Sequence, residues 1–99
     1  MLGHQLAVEQ LRDIEHATGG ALEVLSIREP PEGQLLARIE LSITCGGIPH
    51  TLGGLRLRER ERFILLTSNG FPFEVPSLWV PHTRFAGYPH VQWKHSLCL

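Results

Sequence analysis

Cys98 and the polar residues around it are the part of this 99-residue chain best suited to covalent chemistry. Lys94 and His95 lie just before it, and a nearby cation lowers a thiol's pKa and raises its thiolate fraction, as a nucleophile requires. Cys45, the other cysteine, ends a strictly alternating segment and reads as a small buried hydrophobe. The 53 positions between the two, and the lack of any CxxC pair, give no sign of a disulfide scaffold, a zinc knuckle or a redox motif. His82, His90, His95 and Cys98 offer four possible ligands within 17 residues, but the paired short spacings usual for zinc are missing. Neither a metal nor a cofactor is therefore assigned.

These residues need a scaffold to present them. Residues 2–18 have helical periodicity: Ala7, Leu11, Ile14 and Thr18 form a stripe widened by Val8 and Ala17, and Gly19-Gly20 stops it. Residues 21–28 and 35–45 read as strands, joined into an antiparallel hairpin by the turn Pro30-Pro31-Glu32-Gly33. In the second strand Ala37, Ile39, Leu41, Ile43 and Cys45 alternate with Arg38, Glu40, Ser42 and Thr44. Gly46-Gly47 and Gly53-Gly54 bracket a loop. Residues 60–67 form a third strand, Ser68-Asn69-Gly70 a turn, and Leu78-Trp79-Val80 a short fourth strand between Pro76 and Pro81. Residues 81–97 have neither period and are expected to form one long irregular loop, a feature usually tied to function. The fold class is α+β, with an N-terminal helix packed on a four-stranded antiparallel meander. Phe71, Phe73 and Trp79 are expected to pack in the core or against loops.

Three segments in order carry a family resemblance. Phe71-Pro72-Phe73-Glu74-Val75-Pro76 resembles the proline-rich segment of ubiquitin-conjugating enzymes. Tyr88-Pro89-His90 resembles their histidine-proline-asparagine motif, and Ser96-Leu97-Cys98-Leu99 their active-cysteine segment. His90 lies eight positions before Cys98, as the motif asparagine does in the family. Two departures, Tyr88 for the motif histidine and His90 for the asparagine, resemble a divergent bacterial branch found in conjugation systems, including antiphage defence. Val75 replaces the first proline of the family's proline pair.

The resemblance implies an acyl transferase. Cys98 would take a ubiquitin-like modifier from an activating enzyme as a thioester and pass it to an amine on a protein target. His90 would support the tetrahedral oxyanion or order the loop, with base catalysis a lesser alternative. Pro89, Tyr88, Lys94 and His95 would be supporting residues, and Pro72 and Pro76 would shape the loop. The family's helices after the cysteine are missing, so the 99 residues read as one domain that is incomplete at its C-terminus. The alternatives are a non-catalytic binding module or inactive fragment of the same fold and, ranked below these, a His/Cys metal-binding protein.

Composition narrows the rest. Hydrophobic residues make up 42% and charged residues 19%, as in ordinary globular proteins. A net charge of −1 gives no reason to expect nucleic acid. Arg56, Arg58, Arg60 and Arg62 interleave with Glu59 and Glu61, which reads as one solvated strand face. No apolar run approaches the roughly 20 residues that span a bilayer. Residues 1–10 do not read as a signal peptide, so no membrane partner and a cytoplasmic location are expected.

Overall fold

The computed structural model describes residues 2–46, 57–86, 91–92 and 96–97. The N-terminal helix, α1, spans Gly3–Ala17. The Gln5 side chain accepts the Leu2 N–H at 3.1 Å and so satisfies one donor that the first turn leaves open. At the other end Gly19 and Gly20 take φ of +62° and +90°, and Gly20 N–H returns to the Glu15 carbonyl at 3.0 Å. Only residues without a Cβ do this freely, so the Gly-Gly pair terminates the helix.

The buried stripe of α1 differs from the expected one. Gly3, His4 and Ala7 are buried, and Val8 and Leu11 pack on the core, whereas Ile14, Ala17 and Thr18 are exposed. Two polar side chains explain the shift. The Glu15 carboxylate accepts the Val24 N–H at 2.6 Å, and the Thr18 hydroxyl bonds the Ile14 carbonyl at 2.8 Å. The last turn is thus tied by hydrogen bonds rather than by apolar burial.

Among the described residues six strands follow: β1 (Leu22–Arg28), β2 (Ala37–Thr44), β3 (Arg60–Thr67), β4 (Ser77–Trp79), β5 (Val91–Gln92) and β6 (Ser96–Leu97). All pairings are antiparallel, in the order β1-β2-β3-β4-β6-β5. The first four make the expected meander. The two short strands are a correction, because 81–97 was expected to be irregular throughout. Two residues carry too little alternation to register as a period.

Register explains which residues reach the helix side. Val24, Leu41 and Phe63 align across three strands, as do Ile27, Ile39 and Leu65. With Val8, Leu11 and Leu22 they form the core. A bulge between Val24 and Ser26 switches the inward parity of β1, so that Ile27 rather than Ser26 faces the core. Phe73 departs most from expectation: it is 95% exposed, while Phe71 and Trp79 are half-buried. Phe73 lies in a turn, where its N–H bonds the Gly70 carbonyl and no strand period directs its ring inward.

The start of α1 is locked to the β3–β4 turn. His4, 3% exposed, places Nδ1 2.7 Å from Asn69 Oδ1 and Nε2 2.6 Å from a Glu29 carboxylate oxygen. The second contact is close but lies outside hydrogen-bond geometry. Gly3 sits directly against the turn, and a Cβ there would overlap the Asn69 carbonyl and approach the Phe71 nitrogen to 2.8 Å. Backbone cannot swing aside as a side chain can. Gly3→Ala is therefore expected to destabilise the chain by about 1–3 kcal/mol, the usual cost of overpacking. Urea unfolding checks this, and an unchanged midpoint would refute the close packing. Among the described residues no helix is long and apolar enough to cross a membrane.

Candidate functional site

Cys98, His90, Pro89, Tyr88, Lys94 and His95 lie outside the described residues. The strands that lead to them are described. β6 pairs with β4 through Leu78↔Leu97 and Trp79↔Ser96, and with β5 through Val91↔Leu97 and Gln92↔Ser96. In sequence, β5 begins one residue after His90 and β6 ends one residue before Cys98. Pro72 is exposed and follows a cis peptide bond from Phe71, and Pro76 is half-buried just before β4.

A second group of chemically capable side chains is fully in view. Glu61 was expected on the solvated arginine face, but its side chain is 1% exposed. The reason is strand parity. Glu61, Phe63, Leu65 and Thr67 alternate toward one face of β3, and Arg60 and Arg62 point to the other. There Arg62 pairs with Glu40 at 3.0 Å and Arg60 with Glu23 at 3.2 Å, so the solvated-face reading holds for these two arginines.

The buried Glu61 carboxylate is held from three sides. Arg84 donates to Oε2 at 2.6 Å, the Arg58 N–H donates to Oε1 at 2.8 Å, and His82 Nε2 lies 3.4 Å from Oε2. Burial pushes the carboxyl pKa up. The hydrogen bonds from Arg84 and Arg58, with the charges of Arg84 and His82, outweigh it and hold the carboxyl below its ordinary value.

His82 responds in the opposite sense to a typical ion-paired histidine. Burial lowers its pKa first, and with the Arg84 and Arg58 charges it outweighs the raising effect of the Glu61 carboxylate. Its Nδ1 accepts the Arg84 N–H at 3.2 Å, so in the neutral ring the proton resides on Nε2, toward Glu61. With Nδ1 occupied, the imidazole is poorly placed as a free base or metal ligand. It is the one member of the four-ligand metal set that the described residues include. The Arg84 guanidinium also lies 5.3 Å from the Phe85 ring centre, and His82 meets that ring edge-on at 4.7 Å. The segment from Pro81 to Ala86 is therefore fixed to β3 by one buried charge cluster, and the buried Phe85 ring packs against His82 and Arg84 within it.

Cys45 is buried, as its alternation implied. Burial and the nearby Glu61 charge push its thiol up, against a smaller downward effect of a backbone hydrogen bond. It is chemically subdued at neutral pH. No family model, curated protein or solved structure matches the chain.

Proposed function

We propose that the chain carries a ubiquitin-like modifier as a thioester on Cys98 and transfers it to an amine, as ubiquitin-conjugating enzymes do. One observation supports this beyond the motifs: the β5–β6 register. Val91 opposes Leu97 and Gln92 opposes Ser96. β5 begins directly after His90 in the sequence and β6 ends directly before Cys98, so the paired strands join the chain segments that carry the two motifs. The two motifs chosen from sequence would then form one site. The α1–meander order and the pinned Pro81–Ala86 segment fit the same architecture.

The Cys98 thiolate attacks the carbonyl carbon that joins the modifier to the activating enzyme. The tetrahedral oxyanion collapses and releases the activating enzyme's thiolate. A target amine then attacks the new thioester, loses a proton and leaves an amide, and Cys98 departs as thiolate. The partners are an activating enzyme, a ubiquitin-like protein and a protein target.

The test uses an activating enzyme, ATP and a candidate modifier, followed by non-reducing gels of wild type and Cys98→Ala. A thiol-labile adduct that is absent from Cys98→Ala is expected. Iodoacetamide labelling gives a partner-independent check. Cys98 should alkylate well before Cys45, whose burial and raised pKa protect it. Equal labelling, or no adduct with a demonstrably active enzyme–modifier pair, would move the assignment to a binding module.

A further inference from the structure

We infer that the cleft between the first half of β3 and the Pro81–Arg84 segment binds a phosphate-bearing anion. β4 pairs with β3 only at Ile64, Leu65 and Leu66. Beyond that point the chain leaves β3, and a cavity of about 710 Å³ opens, lined by Arg58, Arg60, Arg62 and Arg84 with His82 and Glu61. Ligand pockets commonly span about 300–1,000 Å³.

The donor and acceptor inventory points to an anion. Arg58 and Arg84 line the cleft beside one carboxylate, Glu61, while Arg60 and Arg62 border it from β3 and send their guanidinium groups toward the opposite sheet face. Both Glu61 oxygens are already engaged, by Arg58 N–H and by Arg84. All three Arg60 nitrogens are engaged, by Ser42, Thr44 and Glu23, and Arg62 gives one terminal nitrogen to Glu40, so the spare donors are those of Arg58 and the remaining nitrogens of Arg84. The Arg58 side chain has no acceptor among the described residues, which include all ten acidic side chains of the sequence. Nε2 of His82, the protonated nitrogen in the neutral ring, is buried and makes no aligned hydrogen bond among those residues. Donors therefore exceed acceptors inside the cleft. A phosphate group supplies several acceptor oxygens and a charge that guanidinium forks match in two-point contacts.

Isothermal calorimetry at fixed ionic strength, with the full chain and sodium pyrophosphate, ATP or citrate, tests the assignment. Saturable one-site binding of pyrophosphate and ATP is expected, with citrate weaker. Equal binding of the first two identifies the phosphate group itself as the ligand, and tighter binding of ATP identifies a nucleotide source. Arg58→Ala should weaken binding roughly tenfold or more and leave the urea midpoint unchanged, because its guanidinium holds no partner in the fold. Arg28→Ala, outside the cleft, should bind as wild type. The inference fails if no ligand saturates, if the two arginine variants behave alike, or if citrate matches pyrophosphate. It also fails if a single-stranded oligonucleotide binds and pyrophosphate does not displace it, which would assign the arginines to nucleic acid.

Discussion

His90→Ala should slow attack of an amine on the Cys98 thioester by about 10²- to 10³-fold, the usual loss when one oxyanion donor is removed. His90→Asn should recover most of that rate. The difference separates two roles that a histidine can play. As a donor, the ring N–H stabilises the charge that develops on the carbonyl oxygen, and an asparagine amide at the same position serves equally well. As a base, the imidazole takes the proton of the incoming amine, and an amide cannot replace it. A base would also give the wild-type rate an acidic limb near the unperturbed histidine pKa of about 6.5, lost in the variants. The expected result is rescue by asparagine, because the family resemblance has asparagine at this position. Single-turnover decay of a preformed thioester with free lysine measures the step without the activating enzyme. A variant of either kind that decays at the wild-type rate would remove His90 from the site.

The parts of this molecule legible in the sequence are those governed by local period. The α1 boundary at Gly19-Gly20, the β1–β2 hairpin and the inward set Ala37, Ile39, Leu41 and Cys45 all follow from alternation and turn chemistry. β5 and β6 did not follow, because strands of two residues are fixed by their partners and not by their own pattern. Phe73 shows the limit in the other direction. An aromatic ring in a turn has no periodic rule to send it inward, and here it faces solvent.

Glu61 is the more instructive case. Charge alternation from Arg58 to Arg62 reads as a solvated face when only charge is considered. Strand parity, however, places Glu61 in line with Phe63 and Leu65, on the side of the core. The clue was present in residues 61–67, but the compensating Arg84 lies 23 positions away, where no local rule connects the two. Long-range pairing is what a single sequence conceals, and it fixes the segment that leads toward the proposed site.

That pairing should dominate stability. Arg84→Ala is expected to cost about 3 kcal/mol, because it leaves a carboxylate that is 1% exposed without its main partner. Glu61→Gln should cost less, about 1–2 kcal/mol. The amide still accepts the Arg58 N–H, and Arg84, with 31% of its side chain exposed, can turn to water. Glu61→Leu combined with Arg84→Met should recover much of the loss, since apolar pairs often replace buried ion pairs without penalty. The pH profile follows from the same groups. His82 and Glu61 both have folded pKa values below their ordinary 6.5 and 4.5, so the unfolded chain binds more protons between each folded and ordinary value. Their stabilisation is complete above those ordinary values and is lost as pH falls, first through His82 and then through Glu61. Cys45 has the opposite sign. Its folded pKa lies above 9.0, so its contribution is complete below 9.0 and lost as pH rises beyond it. Stability from these three groups should therefore plateau between about pH 6.5 and 9.0. Urea unfolding across that range should show the plateau in wild type, and Glu61→Gln should flatten the acid limb below pH 4.5. An acid limb unchanged by that substitution would mean that the Glu61 charge contributes nothing to holding Pro81–Ala86 against β3.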